Sequence, residues 1–384
     1  MTTLKTKLIS EGRDSGDFLV PNPPTYRAST ILFPDAESYD EANQGKGKTP
    51  SYGRYGTPTT WQLEEILNDL HGSDHTFLTS TGMSAVALGL QSFLKTGDHA
   101  LIVDCVYGGT HPFCDGFLKH YGAEVTYFDP NIGAGIADLF KPNTKAVYLE
   151  APGSLTFEMQ DIAVIAQIAH DKGCIVLMDC TWATPLYFKP FDHGIDVVIH
   201  ALTKYVGGHS DLMMGSVSCK KEHAGPIKNM YRWTAPTPSG DNVTLALRGI
   251  RTMAVRLEQQ MKSALIICQW LEKQKAVKRI LFPMLESNPH HALWKKYMTG
   301  GASLFAVEID ATRSALYKVI NALEHFGIGA SWGGFESLVI PFVPAENRHV
   351  TRWAKDQTLI RLHIGLEDPA DLITDLEQAF SQLA

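Results

Sequence analysis

The sequence lacks any uncharged apolar run long enough to span a bilayer, and its start, MTTLKTKLISEGRDSGDF, has no apolar core of signal-peptide length. The expectation is a cytoplasmic protein with no membrane partner. Positive charge is not in excess. Thirty-four Lys and Arg stand against 41 Asp and Glu, a formal net charge of −7, and the basic residues are scattered. No nucleic-acid partner is expected, because a phosphate backbone is met by a basic footprint. Cysteine is sparse and has no CxxC pair: Cys105, Cys114, Cys174, Cys180, Cys219 and Cys268 lie mostly in apolar segments. Buried free thiols are expected. The fifteen histidines include no HExxH and no His/Cys set at zinc spacing, so no metal site is expected. A Walker lysine and a GxGxxG are missing too, which argues against nucleotide binding.

What is present is an ordinary globular composition, 44% hydrophobic and 20% charged over 384 residues, enough for two cores. Residues 1–55 are poor in periodicity and rich in Pro, Gly and polar residues, as in SGDFLVPNPPTYRAST and NQGKGKTPSYGRYGTPTT, and read as an extended N-terminal arm. From residue 56 to about 250, helix and strand patterns alternate. WQLEEILNDLHG, GMSAVALGLQSFL and DIAVIAQIAHDKG read as helices; HTFLTS, HALIVD, EVTYFD, KAVYLEA and CIVLMDC read as strands. Such alternation predicts an α/β fold with a mostly parallel sheet in a large domain. Residues 251–384 read as a smaller C-terminal α/β domain. It opens on a long helix through MAVRLEQQMKSALIICQWLEKQ and has strands LFAVEI, SLVIPF and LIRLHIG. Its last helix, DPADLITDLEQAF, has Asp368 placed to cap and Pro369 at its first position.

In open parallel sheets, ligands gather at the carboxyl ends of strands. After HTFLTS comes STGMSA, where Ser80, Thr81, Gly82 and Met83 would offer backbone N–H groups to an anion at a helix start; alone, the stretch reads as readily as a plain helix cap. After HALIVD, Tyr107 in CVYGGTH is placed to cover a flat ligand, or equally to fill a turn. Asp179 closes an apolar strand and needs a cationic or hydrogen-bonding partner. Lys204 follows the β-branched run VVIH. An amine there either snorkels to solvent or, desolvated, becomes a nucleophile able to form a Schiff base. An anion cradle, an aromatic cover, an acid and an amine at strand ends of one domain match the phosphate, ring face, ring nitrogen and aldehyde of pyridoxal 5'-phosphate.

The segments TKYVGGHSD, MDCTWATP and YGRYGTPT resemble the Cys/Met-metabolism family of pyridoxal-phosphate enzymes, from about residue 20 to the C-terminus. That resemblance implies pyridoxal-phosphate fold type I, the aspartate-aminotransferase-like fold. EAPGSLTFE, SWGGFESL and TLIRLHIGLED resemble its β-acting lyases in particular, with Trp332 where γ-acting members usually carry Leu. The resemblance makes Lys204 the residue that binds the cofactor aldehyde, Asp179 the partner of its ring nitrogen and Tyr107 the stacking ring. It gives its phosphate Gly82, Met83, Thr203, Tyr52 and Arg54, the last two reaching across from a neighbouring subunit. Arg361 becomes the clamp for the substrate carboxylate, Ser331 and Trp332 line the substrate pocket, and Tyr107 and Tyr52 assist proton transfer. The implied reaction is carbon–sulfur β-elimination on an amino acid, in a homotetramer built as a dimer of dimers with shared sites. Two positions depart from the family pattern. Ala201 stands where many members have Ser, and Ala330 where some have Tyr and others Glu.

Overall fold

The computed structural model describes residues 2–12, 20–44 and 49–383. The parts of the arm reading that fall on residues 13–19 and 45–48 lie outside these. Within the rest of that stretch stand two short helices, Leu4–Ser10 and Ala36–Asn43, each begun by a capping side chain, Thr3 and Asp35. Leu8 is fully buried, so the first helix is docked rather than extended.

The larger sheet has seven strands: β1 (His75–Thr79), β2 (His99–Val103), β3 (Glu124–Phe128), β4 (Thr144–Glu150), β5 (Ile175–Asp179), β6 (Val197–His200) and β7 (Gly215–Cys219). Their order across the sheet is β1-β7-β6-β5-β4-β2-β3. The pairings β2–β3, β2–β4, β4–β5 and β5–β6 are parallel; β7 runs antiparallel to both neighbours, β6 and β1. Every residue of β2, β6 and β7 is buried, as expected of strands covered on both faces. The helix Gly82–Phe93 packs closely on β6: a Cβ on Gly89 would lie 2.9 Å from Ile199 Cδ1.

The smaller sheet follows with β8 (Val277–Leu281), β9 (Leu304–Ile309), β10 (Gly327–Ile328), β11 (Leu338–Phe342) and β12 (Leu359–His363), in the order β10-β11-β12-β9-β8. The long helix Met253–Leu271 leads into it. The closing helix, Pro369–Phe380, starts as its sequence predicts: Asp368 accepts from the Ala370 N–H at 2.8 Å and Pro369 takes the first position, where a missing N–H costs nothing. All six cysteines are free and buried. Among the described residues no helix is long and apolar enough to cross a membrane.

Candidate active site

Lys204 sits in the turn after β6 and is half-buried. Its Nζ donates to Ser331 Oγ at 2.8 Å and lies 5.2 Å from the centre of the Trp332 ring. Burial, and then the positive charge of Arg361, lower the amine's pKa to about 8, with Asp179 opposing. A lysine so placed is neutral far more often than a surface one, which is the state that attacks a carbonyl. The loop carrying Ser331 and Trp332 presses on Lys204 because of Gly333. Its φ is +85°, and a Cβ there would come within 2.8 Å of the Lys204 carbonyl carbon. Only glycine fits both demands.

Asp179 ends β5 and accepts from the Thr181 N–H at 2.9 Å. Burial raises its pKa, against the hydrogen bonds from Thr181 and the charge of Lys204. No Lys, Arg or His among the described residues forms an ion pair with it, so this carboxylate lacks the cation that an enclosed acid needs. Register places Glu150, the last residue of β4, directly beside it. Burial and the Asp179 charge hold the Glu150 pKa well above the usual carboxylate range, although Glu150 accepts from the Tyr107 N–H at 2.7 Å. Thr181 also accepts from the Ala201 N–H at 2.9 Å, tying the ends of β5 and β6 together.

At the start of the helix Gly82–Phe93, Thr81 is the cap and accepts from the Ser84 N–H at 2.9 Å. The amides of Gly82 and Met83, in the first turn, have no intrahelical acceptor, as geometry dictates. The Ser80 N–H is not available to an anion, because it donates to the Pro236 carbonyl at 2.7 Å. Gly82 is required by contact: a Cβ would lie 2.7 Å from that of Ala201. The half-exposed Tyr107 ring and the Met83 sulfur both border Gly109, where a Cβ would lie 2.6 Å from the ring and 3.3 Å from the sulfur. The tyrosine therefore stands beside the cradle.

Arg361, on β12 and 7% exposed, donates through one Nη to the carbonyls of Ala330 and Ser331 at 2.6 and 2.9 Å. Its Nε is buried with no partner, and burial lowers the guanidinium pKa to about 10. A buried fork with a spare donor suits a carboxylate. Thr203 behaves differently. Its hydroxyl donates to the Met214 carbonyl at 3.1 Å and accepts the Met214 N–H at 3.0 Å, closing the neck of the Lys204 loop. Both of its donors are thus engaged by Met214, since its N–H also goes there. Tyr52 is 44% exposed and pairs with Thr30. Arg54 donates to the Arg232 carbonyl at 2.9 Å and to the Tyr55 hydroxyl at 2.7 Å. None of these contacts reaches Lys204, Asp179 or Tyr107.

The fold thus brings Lys204, Asp179, Tyr107, Gly82, Met83, Ser331, Trp332 and Arg361 to one end of the large sheet, and leaves the exposed Tyr52 and the half-buried Arg54 engaged elsewhere in the same chain. Glu150 and Thr181 were missed from sequence; the signal was their place at strand ends next to Asp179. The residues fit pyridoxal 5'-phosphate on three observations: orphan amides at a helix start, an enclosed acid without a cation, and an amine with a depressed pKa.

The family model described as Cys/Met metabolism PLP-dependent enzyme matches residues 5–381. A cystathionine beta-lyase of Bordetella avium is 40% identical over 94% of this chain and 92% of its own length. An L-alanine/L-glutamate racemase of Wolbachia pipientis wMel is 37% identical over 98% of this chain and 96% of its own. The crystal structure of cystathionine gamma-lyase from Lactobacillus plantarum complexed with L-serine superposes with a TM-score of 0.90 at 29% identity, covering 100% and 99% of the two chains. The architecture is that of pyridoxal-phosphate fold type I, with a mostly parallel large sheet and a smaller domain.

Proposed function

This chain belongs to the Cys/Met metabolism PLP-dependent enzymes, and from that premise we propose that it is a cystathionine β-lyase. Its reaction consumes one water and releases L-homocysteine, pyruvate and ammonia from L-cystathionine. The observation that carries the reading is the tether between Lys204 Nζ and Ser331 Oγ, set beside the Trp332 ring and above the buried Arg361. It leaves a single amine, poised for proton transfer, between a carboxylate clamp and an aromatic wall.

Gly82 and Met83 would hold the phosphate of the cofactor, Asp179 its ring nitrogen, Tyr107 its ring face and Lys204 its aldehyde. Bound pyridoxal 5'-phosphate supplies an electron-withdrawing ring that acidifies the substrate Cα. Arg361 receives the α-carboxylate and so fixes which Cα bond faces Lys204. Lys204 Nζ, in the neutral form that its lowered pKa makes accessible, removes the Cα proton. The same Nζ then delivers a proton to the sulfur that leaves Cβ, and Ser331 Oγ keeps the amine within reach of both atoms. Asp179, ionised beside a cationic ring nitrogen, keeps that nitrogen protonated. Tyr52 and Arg54 serve the phosphate of a second copy, so the site is shared in a dimer, two of which form the tetramer.

Purified protein incubated with L-cystathionine tests the reading. Pyruvate with homocysteine is the expected pair of products. Oxobutyrate with cysteine would move the chain to the γ-acting branch of the same family, which shares the cofactor residues, and would mean that Trp332 does not select the bond cleaved.

A further inference from the structure

Beside the Tyr107 turn lies a cluster that the lyase reading does not use. Asp104, just after β2, His111 and His349 each turn one ligand atom into a common space, all three within 4.8 Å of one another. His111 is 6% exposed, and neither of its ring nitrogens has a hydrogen-bond partner among the described residues. The ring stacks on His349 with centroids 4.5 Å apart and lies near the Asp104 backbone carbonyl without a well-formed hydrogen bond, so its nitrogens keep capacity for a ligand. Asp104 is fully buried. Its Oδ2 is saturated by the N–H groups of Val350 and Thr351 and by the Thr351 hydroxyl, at 3.1, 2.8 and 2.7 Å. Its Oδ1 accepts only the His349 N–H, at 2.7 Å. One lone pair of Oδ1 stays open.

The His349 ring decides what that lone pair faces. Its Nε2 is 2.9 Å from Asp115 Oδ2, and Asp115 is itself held ionised by Lys119 on its other oxygen at 2.6 Å. Nε2 therefore carries a proton and donates it to Asp115. Its other nitrogen, Nδ1, stands 3.7 Å from Asp104 Oδ1, close enough for one bound ion to reach both atoms. A carboxylate oxygen and two imidazoles thus converge on one space, a donor set that a metal ion can share. A carboxylate holding the far nitrogen of a histidine is the usual outer support of a metal-bound imidazole.

We propose that Asp104 Oδ1, His349 Nδ1 and one ring nitrogen of His111 form a site for a divalent cation of the zinc class, with Asp115 as its outer support. Two imidazoles and one carboxylate suit that class of ion. A tetrahedral ion sets its ligand atoms about 3.4 Å apart, so the three, now within 4.8 Å of one another, need to close by up to about 1.4 Å. The fourth position is left for water. Asp104 and His111 bracket Tyr107 in sequence, while His349 belongs to the C-terminal part of the chain; the ion would brace the tyrosine turn against that segment.

The test uses the cofactor-loaded enzyme, cleared of metal with EDTA and titrated with zinc chloride by calorimetry in a non-chelating buffer. The expected result is one saturable equivalent per subunit, weakened at least tenfold by His349→Ala and by His111→Gln. His349 is partly exposed and its backbone contact to Asp104 survives the substitution, so His349→Ala remains informative if the buried variant fails to fold. Zinc should also raise the thermal midpoint of the unsubstituted enzyme but not that of His349→Ala. Absence of a saturable equivalent, or an equivalent kept unchanged in His349→Ala, would overturn the proposal.

Discussion

At the carboxyl ends of β5 and β6, polar side chains are enclosed and left with unmet capacity: Asp179 forms no ion pair among the described residues, and the pKa of Lys204 is lowered to about 8. At Tyr52–Arg54 the tyrosine is exposed and the half-buried Arg54 is matched within the same chain, against the Arg232 carbonyl and the Tyr55 hydroxyl. The two regions were expected to serve one ligand. Their difference separates groups that a single chain prepares from groups that wait for another body. An enclosed group cannot be satisfied by water, so its lack of a partner points to a missing ligand; an exposed group carries no such message.

The sharpest break between the two regions is expected from Lys204→Ala. That variant should lose all turnover and the visible absorption of the bound cofactor, read by product assay and spectrum; retained activity would remove the strand-end region from the chemistry. Asp179→Ala should lower kcat by about 10²- to 10³-fold with little change in KM, as for loss of an interaction made in the transition state. Steady-state kinetics on L-cystathionine would check it. Arg361→Ala should raise KM roughly 10- to 100-fold, the worth of a charged hydrogen-bonded clamp.

The exposed region is probed by mixing. If Arg54 serves a second copy, equal amounts of Lys204→Ala and Arg54→Ala subunits, unfolded and refolded together, should regain about a quarter of the intact sites, because half the dimers are mixed and each mixed dimer has one whole site. No recovery, with Arg54→Ala inactive by itself, would place Arg54 in its own chain's site; full activity of Arg54→Ala alone would remove it from the chemistry. The smallest effect is expected at Ser331. Reconstitution of the apoprotein with pyridoxal 5'-phosphate should quicken as pH rises through about 8, since the neutral amine reacts. The Ser331 hydroxyl accepts from the charged amine and so favours it; Ser331→Ala should move that midpoint to lower pH, followed by absorbance.

Much of this was readable from sequence because strands buried on both faces are continuous apolar runs, and chemistry follows their ends. β1 to β6 all stand where such runs lie. β7 was not predicted: GSVSC is short and made of small residues, and only pairing between β1 and β6 reveals it as a strand. β8, VKRIL, exposes Lys278 and Arg279 at the edge of its sheet and so hides its alternation. Among the side chains at the site, Lys204 and Asp179 were conspicuous as lone charges after apolar strands. Glu150 beside Asp179 depends on register between strands far apart in sequence, and the engagement of Thr203 by Met214 depends on how a loop closes. Neither is a local property. The cluster of Asp104, His111 and His349 has no sequence spacing at all, since its members meet only through the packing of the C-terminal segment on the end of β2.

The reversed strand β7 has a further consequence for the lysine. Because β7 begins at the end of the sheet where β6 stops, the loop from 201 to 214 leaves and re-enters the sheet at one edge, and Thr203 with Met214 fastens its neck. An amine on a free-ended arm has many conformers to forfeit each time it engages a ligand. One carried on a loop anchored at both feet has few, so the direction of a strand that bears no reactive group lowers the entropic cost of every encounter its neighbour makes.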